Sequence, residues 1–415
     1  MMDNIRDYVE AVCKKAKDAS RIISLADTEK KNQVILRFAE ELKSSCDYIL
    51  SENAEDVKAA RENGTSEAMC DRLALSKARI EGIVDALAAL TELPDPVGSG
   101  EVFRRPNGME IKKIKVPLGA VGVIYEARPN VSADIAGLCL KSGNAAVLRG
   151  GKEALRSNMA IVAAAKRALK ACDLPEDAVS LIEMTDREGA QAMMEMRGTL
   201  DVLIPRGGKG LIQNVVKNSK VPVIETGAGN CHLYIHSDAD VDMALSVAAN
   251  AKLSRPSVCN AVETILVNES IAETVLPRLE EALVDTEIRG CEKTAEYIKC
   301  VPAAEEDFET EYNDYIVAVK VVSDEKEAVE HINRYSTGHS EAIITESRKT
   351  ADYFTARVDS ACVYVNASTR FTDGGEFGFG AEVGISTQKL HARGPMGLDA
   401  LTTTKYVING DGQCR

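Results

Sequence analysis

VGVIYEARPNVSADIAGLCLKSGNAAVLRG, residues 121–150, is the stretch of sequence that decides the fold. An apolar run rich in β-branched residues, a helical pattern over 132–141 and a second apolar run follow one another there. The same alternation continues with the runs VSLIEM, DVLIP and VPVIET and with helical patterns over 157–171, 188–196 and 211–218. Five strands separated by helices predict a parallel α/β sheet.

A second α/β unit follows this sheet. Its predicted strands are ETILVN, YIVAVKVV, EAIIT and CVYVN, with helical patterns over 271–283, 326–334 and 348–354. Before the first sheet, residues 4–63 and 76–93 carry apolar residues at helical spacing among charged ones, which predicts a helical covering layer. The chain is therefore predicted to contain two α/β domains.

Two further segments are predicted to form β-structure. Residues 101–119, EVFRRPNGMEIKKIKVPLG, place a Pro-Asn-Gly turn between alternating residues, which is typical of a β-hairpin. Residues 398–415, LDALTTTKYVINGDGQCR, end the chain with a strand that could pair either with this hairpin or with a partner chain.

The composition is that of a globular protein, with 45% apolar and 27% charged residues over 415 positions. A net charge of −14 argues against nucleic acid as a partner, because phosphate binding needs clustered Lys and Arg. Eleven cysteines without CxxC pairs fit reduced thiols, and the charged N-terminal stretch carries no secretion signal. We expect a cytoplasmic protein without a membrane partner, and the five histidines show no metal-binding spacing.

Polar or glycine-rich turns follow the predicted strands of the first sheet. They are ARPN at 127–130, RGGKEALRSN at 149–158, PRGGKG at 205–210 and ETGAGN at 225–230. No GxGxxG run occurs at a strand-to-helix junction, so the usual dinucleotide fingerprint is absent. Because ligands of open parallel sheets bind at the carboxyl ends of the strands, these turns predict one binding crevice.

The turn after AAVLRG is strongly basic. Arg149, Lys152 and Arg156 cluster where a helix begins, and helix N-termini with glycine-exposed amides bind phosphate. Several added cations suit a 2′-phosphate and favour NADP over NAD. A solvated basic face is the alternative for each residue taken singly, but the position at a strand end favours a cofactor site.

Cys259 lies in SRPSVCNAVETILV, residues 254–267, in a polar turn just before an apolar strand. Arg255 precedes it by four residues, and nearby cations lower the pKa of a thiol and so raise its reactivity. A buried structural thiol is nevertheless the more common role for one cysteine among eleven. The wider sequence context has to decide between the two roles.

That context is a resemblance to a known family. IETGAGNCHLYIHSDADVDMA at 224–244, followed by Cys259, resembles the glutamate–glycine motif and the nucleophilic cysteine of the aldehyde dehydrogenases. Longer stretches resemble the γ-glutamyl phosphate reductases of that family, over nearly the whole chain from about residue 4 to 408. These stretches are YEARPNVSADIAGLCLKSGNAAVLRGGKEALRSN at 125–158, RPSVCNA at 255–261, HINRYSTGHSEAIIT at 331–345 and GAEVGISTQKLHARGPMGLDALTTTKY at 380–406.

The resemblance implies an aldehyde-dehydrogenase-like α/β fold with two parallel-sheet domains and a small β oligomerisation arm. The Rossmann-like cofactor domain would comprise residues 1–100 and 116–254, including the N-terminal helical layer, and the catalytic domain residues 255–390. Residues 101–115 and 391–415 would form the oligomerisation hairpin and the C-terminal arm. A homo-oligomer, dimer or tetramer, is expected, and a separate γ-glutamyl kinase is a further expected partner.

For catalysis, the resemblance implies Cys259 as the nucleophile and Asn130, in ARPN, as a donor to the developing oxyanion. The role of Glu225 is open. Hydrolytic relatives use a glutamate at the matching position to activate water, whereas here it could deprotonate Cys259 or position the cofactor. An N-cap or backbone acceptor in the ETGAGN turn is an equally good role for Glu225.

The resemblance also implies binding residues. The expected contacts of the NADP cofactor are Arg149, Gly150, Gly151, Lys152, Ser157, Gly207, Gly208, Lys209, Thr226, Gly227 and, at the nicotinamide ribose, Glu311. An amino-acid substrate carries an α-carboxylate and an α-amine, so at least one cation and one acceptor must face it. The candidates are Arg128, Arg255, His339, Ser340, Ser368, Arg370 and Arg393, although each taken singly is more often a structural hydrogen-bonding residue.

The implied activity is the NADPH-dependent reduction of L-glutamyl 5-phosphate to L-glutamate 5-semialdehyde and phosphate through a thioester on Cys259. This is the second step of proline biosynthesis from glutamate. One alternative is an NAD-linked hydrolytic aldehyde dehydrogenase in which Glu225 activates water. The other is a non-catalytic nucleotide-binding or scaffold protein of the same fold, against which the intact Cys259, Asn130 and glycine turns argue.

Overall fold

The computed structural model describes residues 2–126 and 128–415. The chain divides into two compact units. The first, called the N-terminal unit, comprises the chain up to Glu225 together with Gly378–Gly384 and Met396–Arg415. The second, called the cysteine unit because it contains Cys259, comprises Thr226–Phe377 and Ile385–Pro395.

The helices of the N-terminal unit form where apolar residues recur at helical spacing. They are α1 Met2–Ile23, α2 Thr28–Ser44, α3 Cys46–Glu62, α4 Glu67–Leu73, α5 Lys77–Glu92, α6 Asn130–Lys141, α7 Leu155–Ala171, α8 Arg187–Met194 and α9 Lys209–Asn218. The side chain of Asp27 accepts a hydrogen bond from Lys30 N at the start of α2, and Ser76 caps α5 in the same way. The predicted helices are confirmed, and α4 is an additional short helix.

The strands of the first part of the chain are β1 Gly100–Arg104, β2 Glu110–Pro117, β3 Ala120–Tyr125, β4 Ala145–Arg149, β5 Val179–Leu181 and β6 Val202–Arg206. The last four pair in parallel in the order β5-β4-β3-β6, which confirms four of the predicted strands. Because the chain winds from β3 through β4 to β5 and then returns to the other side of β3, the order reverses between β3 and β6. Ligands of open α/β sheets bind at such a switch point.

The fifth predicted strand, VPVIET, is wrong as a strand. A single bridge joins Leu203 to Val223, with Leu203 N donating to Pro222 O (2.8 Å) and Ile224 N donating to Leu203 O (3.0 Å). Pro222 has no N–H to contribute to a ladder, and the chain leaves the sheet as a loop after Ile224. The segment therefore pairs with β6 over one residue only.

The cysteine unit is a second parallel sheet with helices on it. Its elements are β7 Cys231–Ile235, α10 Val241–Leu253, β8 Val262–Asn268, α11 Ala272–Ala282, β9 Glu287–Gly290, β10 Val301–Pro302, β11 Ile316–Val322, α12 Glu325–Tyr335, β12 Ser340–Ile344, α13 Arg348–Arg357, β13 Cys362–Val365, β14 Ile385–Ser386 and β15 Gly394–Pro395. The main sheet has the order β10-β9-β11-β8-β7-β12-β13. The four predicted strands are confirmed, whereas β7, β9 and β10 are not predicted by the apolar runs. In the described ranges, no helix is long and apolar enough to cross a lipid bilayer.

The boundary between the units differs from the predicted one at residue 254. Strand β7 pairs with β8 and β12, and Ala244 and Ala248 of α10 pack in the core of the same sheet. These contacts place the segment after Glu225 in the cysteine unit. The predicted hairpin and most of the predicted C-terminal arm belong to the N-terminal unit.

The C-terminal strand, β16 Thr402–Asn409, pairs with the hairpin of its own chain, which confirms one of the two predicted pairings. The antiparallel sheet has the order β1-β2-β16, so β1 and β16 are both edge strands. Exposed apolar side chains on these two strands are Val102, Phe103, Tyr406 and Ile408. The arm therefore presents two open edges and apolar surface.

Candidate functional site

Cys259 lies half-buried in the loop between α10 and β8. Gly229, in the loop before β7, packs directly against this segment. A Cβ atom on Gly229 would overlap the carbonyl oxygen and carbon of Cys259, so a side chain there would have to move the loop. The second glycine of the ETGAGN turn thus fixes the backbone of the predicted nucleophile.

Two side chains hold Gly229 and the Cys259 loop together. Glu311 Oε1 accepts a hydrogen bond from Gly229 N (2.7 Å), and Cys231 Sγ lies 3.2 Å from the carbonyl oxygen of Cys259, to which its thiol donates. Burial raises the pKa of Cys231 well above the ordinary thiol value, so the thiol keeps the proton that it donates. Glu311 is predicted to contact the cofactor ribose. In the structure, one of its carboxylate oxygens holds the backbone of Gly229.

A buried ion pair supports the segment that carries Glu311. Lys252 Nζ lies 2.6 Å from Glu263 Oε2, and both side chains are fully buried. Glu263 Oε1 accepts a hydrogen bond from Asn313 N (3.2 Å), two residues after Glu311. Burial raises the pKa of Glu263, and the positive charge of Lys252 opposes that shift. The pair therefore connects the end of α10, the start of β8 and the Glu311 segment.

Asn260 ties the Cys259 loop to a neighbouring turn. Its Nδ2 donates to Arg370 O (3.1 Å) and to Thr372 O (2.9 Å), and Thr369 Oγ1 donates to Asn260 O (2.7 Å). Asn260 is buried, so water does not compete for these bonds. Asn260 is absent from the sequence prediction, although its place beside the cysteine in RPSVCNA is a usable signal.

Arg255 and Arg370 bring two guanidinium groups to the Cys259 loop. Arg255 is exposed, and Arg370 Nε donates to Ser254 Oγ (3.0 Å) in the same loop. Burial lowers the pKa of Arg370, and the positive charge of Arg255 lowers it further. Two neighbouring cations favour an anionic ligand, which would relieve their repulsion.

The other polar candidates have different surroundings. Arg393 Nη2 donates to Asp359 O (2.9 Å) and Oδ1 (3.1 Å), so its charge is paired within the cysteine unit. Ser368 is buried and accepts a backbone hydrogen bond at the start of a turn (3.3 Å). Arg128 is exposed in the N-terminal unit. Of the predicted arginines in the cysteine unit, Arg255 and Arg370 therefore lie beside the Cys259 loop, and Arg393 is paired elsewhere.

His339 and Ser340 are fully buried, which differs from their predicted contact with the substrate. His339 Nδ1 lies 2.8 Å from Ser340 Oγ and 3.7 Å from Cys231 Sγ. Ser340 Oγ lies 2.6 Å from Thr372 Oγ1. Burial lowers the pKa of His339 to about 4, so the ring is uncharged near neutral pH. The two side chains support the Cys259 loop from the protein interior.

The glycine turn after β6 lies at the switch point of the N-terminal sheet. Gly208 precedes α9, and its N–H donates to Glu126 Oε2 (2.8 Å) just after β3. A Cβ atom on Gly207 would overlap the same carboxylate. Lys209, the first residue of α9, is exposed. A negative group thus occupies the start of α9, the position at which helices bind anions.

The turn after β4 holds Arg149 against the segment after β5. Its Nη2 donates to the carbonyl oxygens of Thr185 (2.7 Å) and Asp186 (3.0 Å), and burial lowers its pKa. Its Nε is buried without a hydrogen-bond partner among the described residues. Asn158 Nδ2, equally buried and unpartnered in that part of the chain, lies against Gly150. The predicted cofactor turn therefore contains two buried donors that have no acceptor within the described ranges.

Ser157 is fully buried, which differs from its predicted contact with the cofactor. Its N and Oγ donate to Asp56 Oδ2 at 2.8 and 2.6 Å, and Asn53 Nδ2 donates to its Oγ (3.0 Å). Asp56 of α3 thus accepts hydrogen bonds from the first turn of α7. The sequence pattern instead predicts that a phosphate of the cofactor binds there. Gly151 and Lys152 precede this point, and Lys152 is exposed.

The ETGAGN loop carries the remaining predicted residues. Glu225 is half-buried and Thr226 is buried. Gly227 N donates to Ile385 O (3.0 Å), and a Cβ atom on Gly227 would overlap the side chain of Thr387. The loop is closely packed at this glycine, while the chemical role of Glu225 stays a prediction.

Asn130 is the first residue of α6 and follows β3. Its Nδ2 donates to Asp134 Oδ2 (3.0 Å), one helical turn later. An amide that is fixed in this way has a second N–H left to donate, which an oxyanion donor requires. Asp134 is absent from the sequence prediction.

Comparison with known proteins confirms the predicted family and fold. A sequence profile of the aldehyde dehydrogenase family matches residues 3–316 and 298–407. The γ-glutamyl phosphate reductase of Clostridium perfringens is 57% identical over 406 residues, covering 97% of this chain and 98% of that protein. The γ-glutamyl phosphate reductase of Carboxydothermus hydrogenoformans is 55% identical, covering 99% of this chain and 100% of that protein. The crystal structure of γ-glutamyl phosphate reductase from Thermotoga maritima has a TM-score of 0.96 at 49% identity and covers 98% of this chain and 99% of that chain.

Replacing Gly229 by Ala should displace the Cys259 loop, because the added methyl group overlaps the Cys259 carbonyl. We expect a loss of about 1–3 kcal/mol in the free energy of unfolding. We also expect a changed rate of Cys259 alkylation by iodoacetamide, followed by peptide mass spectrometry. Gly82→Ala, in α5 with open space around it, is the matched control and should be neutral or stabilising. A Gly229→Ala protein with wild-type stability and alkylation would contradict the proposed constraint.

Proposed function

This chain belongs to the aldehyde dehydrogenase family, within its γ-glutamyl phosphate reductases, and we propose that it reduces L-glutamyl 5-phosphate to L-glutamate 5-semialdehyde with release of phosphate. The observation that carries the proposal is the Cys259 loop, whose backbone is limited by Gly229 and which has two guanidinium groups beside it. A thiol near cations suits attack on an acyl group whose leaving group is an anion. The reaction is the second step of proline biosynthesis from glutamate.

The Cys259 thiolate attacks the acyl carbon of the substrate. A carbon–sulfur bond forms and the carbon–oxygen bond to phosphate breaks, which leaves a thioester and inorganic phosphate. Asn130 donates its amide N–H to the substrate oxygen that gains negative charge as the tetrahedral centre forms. Arg255 and Arg370 stabilise the departing phosphate, since guanidinium groups match phosphate oxygens in a bidentate manner.

Aldehyde dehydrogenases use a nicotinamide cofactor, and we propose that residues of the N-terminal unit bind it. Lys209 is exposed at the first position of α9 and suits its phosphate groups, whereas Gly208 N is already bonded to Glu126. We propose NADP because Lys152 is exposed in the basic turn after β4, and because Arg149 Nε is buried there without a partner in the described chain. When bound, the reduced cofactor supplies the hydride that converts the thioester into the aldehyde.

We propose that Glu225 either accepts the proton of the Cys259 thiol or positions the cofactor, and that it does not activate water. A glutamate that activated water would hydrolyse the thioester, so a reductase gains nothing from such a base. Accepting the thiol proton instead forms the thiolate that attacks the substrate. The rival function, NAD-linked hydrolytic oxidation of an aldehyde, differs because its oxidative reaction needs no phosphate.

The oxidative reaction, followed by the absorbance of the reduced cofactor, tests the proposal. With L-glutamate 5-semialdehyde, we expect steady NADP reduction only when phosphate is present, because phosphate releases the acyl group from Cys259. Cys259→Ser should lower the rate by about 10³-fold or more, whereas Cys414→Ser, at an exposed position, should not change it. NAD reduction without phosphate would instead support the hydrolytic function, and full activity of Cys259→Ser would exclude both.

Replacing Arg255 by Gln should weaken phosphate binding in the same assay. Loss of a charged hydrogen bond to phosphate should raise the KM for phosphate by about 10- to 100-fold, with a smaller effect on the KM of the aldehyde. Arg348→Gln, which removes an exposed cation of α13, is the matched control. If the KM for phosphate stays at the wild-type value, Arg255 does not bind the leaving group.

We propose that the chain forms a homo-oligomer through the sheet β1-β2-β16. Its two edge strands carry unpaired backbone groups, and exposed Tyr406 and Ile408 add apolar surface. Light scattering of the purified protein should give the mass of a dimer or a tetramer, and Ile408→Lys should shift that mass towards the monomer. A monomeric wild-type protein would contradict this assembly.

We also propose a source for the acyl phosphate substrate and a cellular location for the enzyme. An acyl phosphate arises by phosphoryl transfer to a carboxylate, so a γ-glutamyl kinase is the proposed source of the substrate. All eleven cysteines are free thiols, which fits the cytoplasmic location that we propose.

A further inference from the structure

The helix α6 is buried along its whole length except at two positions. Asn130 and Asp134 are partly exposed, and every residue from Val131 to Ala133 and from Ile135 to Lys141 is buried. Residues four apart lie on the same face of a helix. The helix therefore opens to its surroundings through one pair of polar side chains.

This pair is joined by a hydrogen bond and carries a negative charge. Asn130 Nδ2 donates to Asp134 Oδ2 at 3.0 Å. Burial raises the pKa of Asp134 to about 6, while the Asn130 hydrogen bond and the positive charge of Arg206 oppose that shift. A carboxylate in such surroundings is stabilised when a cation comes next to it.

The proposed substrate brings such a cation. A γ-glutamyl group carries an α-ammonium, and a short carbon chain, comparable in length to one helical turn of about 5.4 Å, separates it from the reacting carbonyl. Asn130 binds the oxygen of that carbonyl in the proposed mechanism. The sequence-predicted substrate candidates are cations, hydroxyls and a histidine, and none is a carboxylate that would match the ammonium.

We infer that Asp134 binds the α-ammonium of the γ-glutamyl substrate and makes the enzyme prefer amino-acid semialdehydes over aldehydes that lack the amine. This inference rests on the proposed function, because it places the substrate carbonyl at Asn130. Asp134 is then a specificity-determining residue. The hydrogen bond to Asn130 gives the ammonium site and the oxyanion donor a fixed separation.

Two aldehydes that differ only in the amine test the inference. L-Glutamate 5-semialdehyde carries the α-ammonium in its open form, and 5-oxopentanoate lacks it. Both are oxidised with NADP and saturating phosphate at one pH. Asp134→Asn should lower kcat/KM for the amino substrate by about 10- to 100-fold, mainly through KM, because a charged hydrogen bond is lost. The Asn side chain keeps an oxygen that can accept from Asn130 Nδ2, so the same variant should lower kcat/KM for 5-oxopentanoate much less than for the amino substrate.

Two further variants provide the controls. Asp134→Glu keeps the charge and should retain a preference for the amino substrate, and it serves as the second test if the Asn variant proves unstable in thermal unfolding. Asp85→Asn removes an exposed carboxylate of α5 and should leave both substrates unaffected.

Two outcomes would overturn the inference. An equal loss for both substrates would mean that Asp134 acts through Asn130 alone, and an unchanged preference would mean that it does not meet the ammonium. Failure of the proposed function would look different, because wild-type protein would then show no phosphate-dependent oxidation of L-glutamate 5-semialdehyde at all.

Discussion

The close approach of Gly229 to the Cys259 carbonyl is the constraint on which the rest of the cysteine unit depends. A loop between a helix and a strand can adopt many conformations, and a nucleophile needs one. Gly229 limits the backbone on one side, and the hydrogen bonds of Asn260 hold it on the other. The thiol is therefore carried by a loop whose position is set by its neighbours.

This rigidity comes from buried polar side chains, which destabilise a fold unless they are bonded. Replacing a buried ion pair such as Lys252 and Glu263 by apolar residues often costs little free energy of unfolding. Apolar residues, however, cannot bond the backbone groups of the irregular segments around the cysteine. Glu263 and Glu311 accept hydrogen bonds from Asn313 N and Gly229 N, which belong to neither helix nor strand. The buried charges thus satisfy loops that secondary structure leaves unpaired.

Both sheets could be predicted because parallel strands are buried on two faces and read as apolar runs. Strand β7 begins with Cys231 and His232, so its apolar run is short and hard to recognise. The predicted domain boundary was therefore placed after β7, whereas the cysteine unit begins before it. His339 and Ser340 show a second limit. A polar residue at a strand end can face a ligand or bond to the back of a loop, and sequence alone does not separate the two. Asp134 has no spacing signal, since only the burial of its neighbours makes it stand out.

The thioester on Cys259 is the central claim, and mass spectrometry tests it directly. Protein incubated with L-glutamate 5-semialdehyde and NADP, with phosphate left out, should accumulate the acyl form because nothing releases it. After digestion at acid pH, the peptide that contains Cys259 should carry the added mass of a γ-glutamyl group, and adding phosphate before digestion should remove it. Formation of reduced cofactor with an unmodified Cys259 peptide, or with the added mass on another cysteine, would contradict the account.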